Sequence, residues 1–231
     1  MDYSNYQAFA ADKLKTKFKN IDILVTAFTH RSYVNEHRKT VFEHNERLEF
    51  LGDAVLELVT TEYLYNNFQE PEGILTNWRS ALVRTESIGA AAAKLDFEPL
   101  LRLSRGEKRG SERARAQILA NSFEAVVGAI YLDLGYDASK DFIVNNLLVT
   151  FKDILAKGDW MDPKSHLQEL AQSEENYTPV YKVLSEEGPD HDKIFTVGVY
   201  VNGKLRGMGT GSSKQAGQQQ AAEAALKDSK L

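Results

Sequence analysis

The chain has 231 residues, 42% of them hydrophobic and 26% charged, which excludes disordered and collagen-like classes and suits one large domain or a medium domain with a small one. It contains no cysteine, so a disulfide framework, a Cys-liganded zinc site and a thiol nucleophile are excluded. Lys and Arg number 28 against 33 Asp and Glu, a net charge of −5 that argues mildly against a nucleic-acid partner.

The opening Met1-Asp2-Tyr3-Ser4-Asn5 has no basic flank or apolar run of the signal-peptide kind, and no stretch reaches the roughly 18 apolar residues of a membrane span. The expectation is a cytoplasmic protein with no membrane partner. From about residue 6 to 156 the apolar pattern is helical. Leu48, Leu51, Val55 and Leu58 recur at spacings of three and four, and Phe123, Val126, Val127 and Ile130 repeat that stripe. Phe142, Leu147 and Phe151 follow it more loosely. Pro71-Glu72-Gly73, Phe97-Glu98-Pro99 and Gly135 punctuate the helices, and a polar, charged connection runs from Arg102 to Arg115.

Residues 1–156 therefore read as an all-α domain and 157–161 as a linker. In 162–231 the order is α-β-β-β-α, a small α+β domain. Asp162-Pro163 starts a helix to about Glu175, with Asp as cap and Pro at the first helical position. Strands are expected at Val180–Leu184, Ile194–Val201 and, after an Asn202-Gly203 hairpin turn, Leu205–Thr210. Ser212-Ser213 cap a last helix ending near Asp228.

Chemistry concentrates in His44-Asn45-Glu46-Arg47-Leu48-Glu49-Phe50-Leu51-Gly52-Asp53. Glu46, Glu49 and Asp53 stand at i, i+3 and i+7, on one helix face. A second helix offers Asn121 and Glu124 at i, i+3. If the two helices pack together, their oxygens converge in one cleft, and hard oxygen donors without His or Cys favour Mg²⁺ or Mn²⁺. Spacing alone equally describes a solvated acidic face. Gly52 inside a helix costs roughly 1 kcal/mol against Ala and hints at close packing there.

Asn45-Glu46-Arg47-Leu48-Glu49-Phe50-Leu51-Gly52-Asp53 resembles the nine-residue signature of ribonuclease III. Thr29-His30-Arg31-Ser32-Tyr33, Pro71-Glu72-Gly73 with Leu75 and Arg79-Ser80-Ala81-Leu82-Val83, and Phe123-Glu124-Ala125-Val126-Val127-Gly128-Ala129-Ile130-Tyr131-Leu132-Asp133 are similar to further family segments. The tail resembles the double-stranded-RNA-binding domain that follows the nuclease domain in bacterial members. The resemblance implies the ribonuclease III endonuclease fold and a homodimeric, Mg²⁺-dependent endoribonuclease, with Mn²⁺ as a substitute. Such an enzyme cuts both strands of duplex RNA in rRNA, mRNA and tRNA processing, with no organic cofactor. It assigns the metal to Glu49, Asp53, Asn121 and Glu124, with Asp53 and Glu124 catalytic. Glu46 and Glu72 fall near that site, and Phe50 packs into the partner subunit, where the plain reading is a core Phe. The family has Asp where this chain has Asn121, which offers a carbonyl oxygen without charge.

For the second domain the resemblance implies duplex contacts from Gln168, from His191 in Gly188-Pro189-Asp190-His191, and from Lys214, a phosphate grip at a helix N-terminus. Their plain readings are a turn residue for His191 and a surface lysine for Lys214. Gln215 and Gln218 stand where relatives carry a second Lys and an acid. Acids outnumber bases in this domain, so binding by it alone is expected to be weak and salt-sensitive. Compensating charge is available at Arg102, Arg105, Lys108, Arg109, Arg113 and Arg115, which serve as a phosphate grip or as a solvated loop. The rival function is a non-cleaving duplex-RNA-binding protein, if Asn121 disables the metal site. A redox carboxylate bundle is disfavoured, because it uses Glu-x-x-His pairs and none begins at Glu46, Glu49 or Glu124.

Overall fold

The computed structural model describes residues 3–158, 160–189 and 193–227, leaving aside the side chains of 157 and 173–175. It divides into two units, Met1–Trp160 and Met161–Leu231.

The first unit is all helical. Its elements are α1 (Ser4–Asp12), α2 (Ile21–Ala27), α3 (Arg31–Glu36), α4 (Glu46–Asn67), α5 (Glu72–Val83), α6 (Thr85–Lys94), α7 (Glu112–Leu134), α8 (Tyr136–Asn146) and α9 (Phe151–Lys157). Starts are set by local chemistry: Asn20 accepts from the Asp22 amide, His30 from that of Ser32 and Ser111 from that of Ala114. Gly135, at φ +91°, ends α7 and starts α8, a backbone conformation that costs glycine little.

At the centre α4 lies against α7. Five rings, Phe9, Phe28, Phe97, Phe123 and Phe142, touch in sequence with centroids 4.9–6.1 Å apart and anchor the surrounding helices to α7. Gly52 and Gly128 mark where the two long helices meet. A Cβ on Gly52 would stand 1.7 Å from the Glu124 carbonyl oxygen, and one on Gly128 would stand 2.3 Å from that of Leu48. The close packing hinted at by Gly52 is thus backbone against backbone.

One part of the apolar stripe reads differently in three dimensions. Leu48 and Val55 are buried, but Leu58 is 57% exposed. It shares a face of α4 with Phe50, 82% exposed, and Tyr65, 74% exposed, so that helix carries a second apolar face that this unit does not cover.

The second unit is α10 (Pro163–Glu175), then β1 (Val180–Glu187), β2 (Ile194–Val201), β3 (Lys204–Gly211) and α11 (Lys214–Lys227), with an antiparallel sheet in the order β1-β2-β3. Asp162 accepts from the Lys164 and Ser165 amides, the cap expected beside Pro163. Asn202 and Gly203 both take positive φ in the β2–β3 hairpin. Val197, Val199 and Val201 point inward, where Leu167 of α10 and Ala221, Ala222 and Ala225 of α11 are also buried. Gly207 and Gly209 let α11 approach: a Cβ on either would fall 2.3–2.4 Å from its backbone. Strand pairing slips between Val183 and Ser185, so β1 is bulged. Among the described residues, no helix is long and apolar enough to cross a membrane.

Candidate active site and RNA-facing residues

The Gly52–Gly128 contact decides where the acids stand. With the backbones in contact, Glu49 and Asp53, one turn apart on α4, face Glu124 on α7. All three charges act on one another. Burial, then Asp53 and Glu49, push the Glu124 carboxyl up to about 7. Burial also raises Glu49, with Glu46 and Asp53 adding to it, while a hydrogen bond from the Asn121 side chain opposes the rise. Among the described residues, no Lys, Arg or His forms an ion pair with Glu49, Asp53 or Glu124. The acids lean together with their repulsion unrelieved.

That donor set fits a hard divalent cation, since only oxygens are offered and a cation would relieve the repulsion. No three His, Asp or Glu among the described residues close into a metal cage.

The remaining assignments divide. Asn121 sits beside Glu49, and its Oδ1 accepts from Gln117 Nε2 at 2.7 Å. Glu46 is occupied by Arg31 at 3.5 Å and His44 at 3.8 Å, at the rim of the cluster. Glu72 is not with the acids. It lines a groove with Thr61, Leu64 and Tyr65, two to three turns along α4 from Asp53, roughly 12–18 Å. Within one chain Glu72 stands apart from the acids, because α5 packs beside the far end of α4. Phe50 is no core residue: it borders a groove of about 970 Å³ with Phe42, Leu51 and Leu132.

Backbone bonds hold the start of α4. The Asn45 amide donates to the Thr29 carbonyl at 2.9 Å, the His30 amide to Arg102 at 3.1 Å and the Arg102 amide to Phe28 at 2.8 Å. The segment Thr29–Tyr33 therefore ties the acidic helix to the start of the basic connection. In that connection Arg102 is spent on structure, stacked 4.5 Å over Tyr33 and bonded to Thr29 Oγ1, and Arg115 pairs with Glu98. Arg105, Lys108, Arg109 and Arg113 are exposed.

In the second unit Gln168 is exposed on α10. Lys214, at the first position of α11, lies 5.6 Å over the Phe195 ring and pairs with Glu186 at 3.1 Å. Lys164 donates to Gln218 at 2.7 Å, and Gln219 bonds Asp162, so the glutamines of α11 clamp it to α10. His191 lies outside the described residues. Sequence reasoning passed over Gln117 and Glu186. The first was signalled by its spacing four residues before Asn121, the second by nothing short of strand register.

Comparison with known proteins agrees with this layout. A family profile described as Ribonuclease-III-like matches residues 20–151, and one described as double-stranded RNA binding motif matches 163–229. The chain is 46% identical over 211 residues to Ribonuclease 3 of Enterococcus faecalis, covering 91% of each chain. It is 47% identical over 210 residues to Ribonuclease 3 of Carboxydothermus hydrogenoformans, covering 90% of this chain and 89% of that one. Its fold is similar to the solved nuclease domain of ribonuclease III from Campylobacter jejuni, with TM-score 0.56, 34% identity, and coverage of 65% of this chain and 97% of that one. With the signature on α4, the acids where the helices meet, and one profile matched over more than half of the chain, the chain belongs to the ribonuclease III family.

Proposed function

We propose that this protein is an endoribonuclease that hydrolyses phosphodiester bonds in both strands of duplex RNA and trims structured precursors such as rRNA in the cytoplasm. The observation that carries the proposal is the three-carboxylate cluster at the Gly52–Gly128 contact, with Glu124 pushed up to about 7 among unrelieved like charges. Family membership implies a divalent metal, and the hard-oxygen donor set supports Mg²⁺, with Mn²⁺ able to substitute. Glu49, Asp53 and Glu124 hold the cation, and Asn121 flanks them. When bound, the cation lowers the pKa of a water and stabilises the leaving oxygen.

The protein's own residues supply placement. Asp53 and Glu124 hold their carboxylates toward the scissile phosphate, and the exposed Arg105, Lys108, Arg109 and Arg113 draw in the backbone. In the second domain Gln168, His191 and Lys214 read duplex shape rather than sequence.

Two copies act together in this reading. The exposed Phe50, Leu58 and Tyr65 supply an apolar contact surface, and Phe50 of one copy fits the groove beside Phe42 and Leu132 of the other. Glu72, remote from the acids of its own chain, comes near a site only across such a pair.

Labelled duplex RNA tests the proposal directly. Cleavage of both strands with Mg²⁺, and binding without cleavage with Ca²⁺, is expected. Binding without cleavage at every Mg²⁺ and Mn²⁺ level would mean a non-cleaving RNA-binding protein instead.

A further inference from the structure

We infer that the cleft between the end of α3 and the basic connection is a subsite for one unpaired nucleotide of the RNA, whose base stacks on His37. The inference rests on the duplex-RNA reading above and adds to it one feature of the substrate.

The end of α3 carries a stack of three planar groups. The His37 ring lies 3.9 Å from that of Tyr33, four residues earlier, with 16° between their planes. So close a parallel ring fills one face of Tyr33, and the Arg102 guanidinium, 4.5 Å from the same ring, takes the other. The imidazole is thus the outermost layer of an Arg–Tyr–His pile. Its Nδ1 lies 2.9 Å from the Tyr33 carbonyl, which only accepts, so that nitrogen carries a proton and donates it. With one face stacked and one edge bonded, the ring is oriented before any ligand arrives.

The rest of the ring is open. Glu36, His37 and Arg105 line a solvent-open cleft of about 320 Å³, within the roughly 300–1,000 Å³ range of small-ligand sites. That cleft meets the imidazole by its outer face or its remaining edge, since Tyr33 holds the others. The Arg105 amide donates to Glu36 Oε1 at 3.3 Å and the Ser104 amide to Ser32 Oγ at 3.1 Å, which joins the two walls. Arg102, at the base of the pile, also bonds Thr29 Oγ1 and the backbone of Phe28 and His30. The cleft therefore keeps a fixed place relative to the root of α4.

The chemistry of the walls selects the ligand. A flat aromatic face beside Arg105, with the exposed Arg38 and Lys39 following His37 in sequence, suits a nucleotide, the base on the ring and the phosphate toward the cations. Glu36 disfavours a bare phosphate in the cleft and offers a carboxylate to the amino groups of a base. A paired base cannot enter, because its faces are covered by its neighbours in the duplex. Duplex RNA read by shape has no set register on a protein, and an unpaired nucleotide held here supplies one.

The bland account is an i, i+4 aromatic pair that finishes α3 and nothing else. Two RNA probes and the full-length protein in Ca²⁺ separate the two: a duplex with one unpaired 2-aminopurine nucleotide, and the same duplex fully paired. The wild-type chain is expected to quench the 2-aminopurine fluorescence and to bind the unpaired form about tenfold more tightly than the paired one. His37→Ala should remove the quenching and bring the two affinities together. His37→Phe keeps a ring without either nitrogen and should retain both signals.

Quenching by His37→Ala as strong as wild type, no gain for the unpaired form in wild type, or a loss shared by both duplexes with their ratio kept overturns the inference and leaves the RNA reading standing. A loss in His37→Phe equal to that in His37→Ala overturns it too, because the contact is then polar and not stacked. If the wild-type chain fails to bind even the paired duplex, the RNA reading falls and this inference with it.

Discussion

The two units carry their functional charges in opposite states. In the first, Glu49, Asp53 and Glu124 are pressed together with no Lys, Arg or His among the described residues paired to them, and Glu124 is pushed up to about 7. In the second, the cations are already engaged: Lys214 pairs with Glu186, and Lys164 rests on Gln218 and over Tyr181. A ligand of opposite charge relieves strain in the first unit, whereas in the second it displaces an internal partner. In a chain of net charge −5, a cation at the first unit's acids would meet no paired base among the described residues, whereas an anion at Lys214 would have to displace Glu186. The shared device beneath both is glycine, at Gly52 and Gly128 between helices and at Gly207 and Gly209 beneath α11.

The largest effect expected is from filling one of those contacts. Gly52→Ala puts a methyl 1.7 Å from the Glu124 carbonyl, so α4 and α7 must separate. A loss of about 3 kcal/mol or more from the first unit is expected, with cleavage lost. Gly209→Ala, with its Cβ at 2.3 Å from the Ala221 nitrogen, should melt the second unit and leave the first intact. Calorimetric scans of both variants check this; a wild-type melting profile for either would mean the contact can give.

Next is Glu124→Gln, which should cut turnover about a thousandfold or more with saturating duplex RNA, while affinity measured in Ca²⁺ barely changes. Near wild-type turnover would remove Glu124 from the machinery.

The burial of Glu124 and the repulsion around it also have a pH signature. The Glu124 carboxyl is raised from 4.5 to about 7 in the folded protein, so the folded state binds the proton more tightly than the unfolded chain. Its contribution to stability is full below about pH 4.5 and is lost as pH rises through about 7. In metal-free protein, stability should fall by about 1–2 kcal/mol between about pH 5.5 and about pH 8 relative to Glu124→Gln, allowing for the exposed part of the carboxyl. Saturating Mg²⁺ should flatten the difference. His30, lowered mainly by burial, runs the other way in both proteins and cancels in the comparison. Parallel curves for the two proteins without metal would show that neither burial nor its neighbours raise Glu124.

The smallest effects belong to the second unit. Lys214→Ala should lower the salt slope of RNA binding by about one unit, uniformly across sequences. Glu186→Gln frees Lys214 and should strengthen binding by up to about fivefold, the worth of one exposed ion pair. Unchanged affinity would mean that Lys214 leaves Glu186 without cost.

Much of this was legible in the residues. The i, i+3, i+7 acids, the Asp162-Pro163 helix start and the Asn202-Gly203 hairpin depend on local geometry, which sequence states directly. Leu58 was not, because helical periodicity marks apolar faces without telling a core from an uncovered surface. The place of Glu72 beside the far end of α4 was not legible, because the direction of α5 relative to α4 is set by packing. Glu186 was out of reach because its meeting with Lys214 depends on how a bulged β1 lies beside the start of α11.

The three backbone bonds that join Phe28–His30 to Asn45 and Arg102 have a consequence in time as well as in space. A residue's amide exchanges with solvent deuterium only when its bond opens, and these bonds share one short segment anchored by the buried Phe28, whose ring packs against the buried Phe97. The amides of His30, Asn45 and Arg102 should therefore exchange together, slowly, as one unit. The exposed tip from Arg105 to Arg113 should exchange far faster. On this expectation the acidic helix and the root of the basic segment open as a single piece, and the tip opens separately.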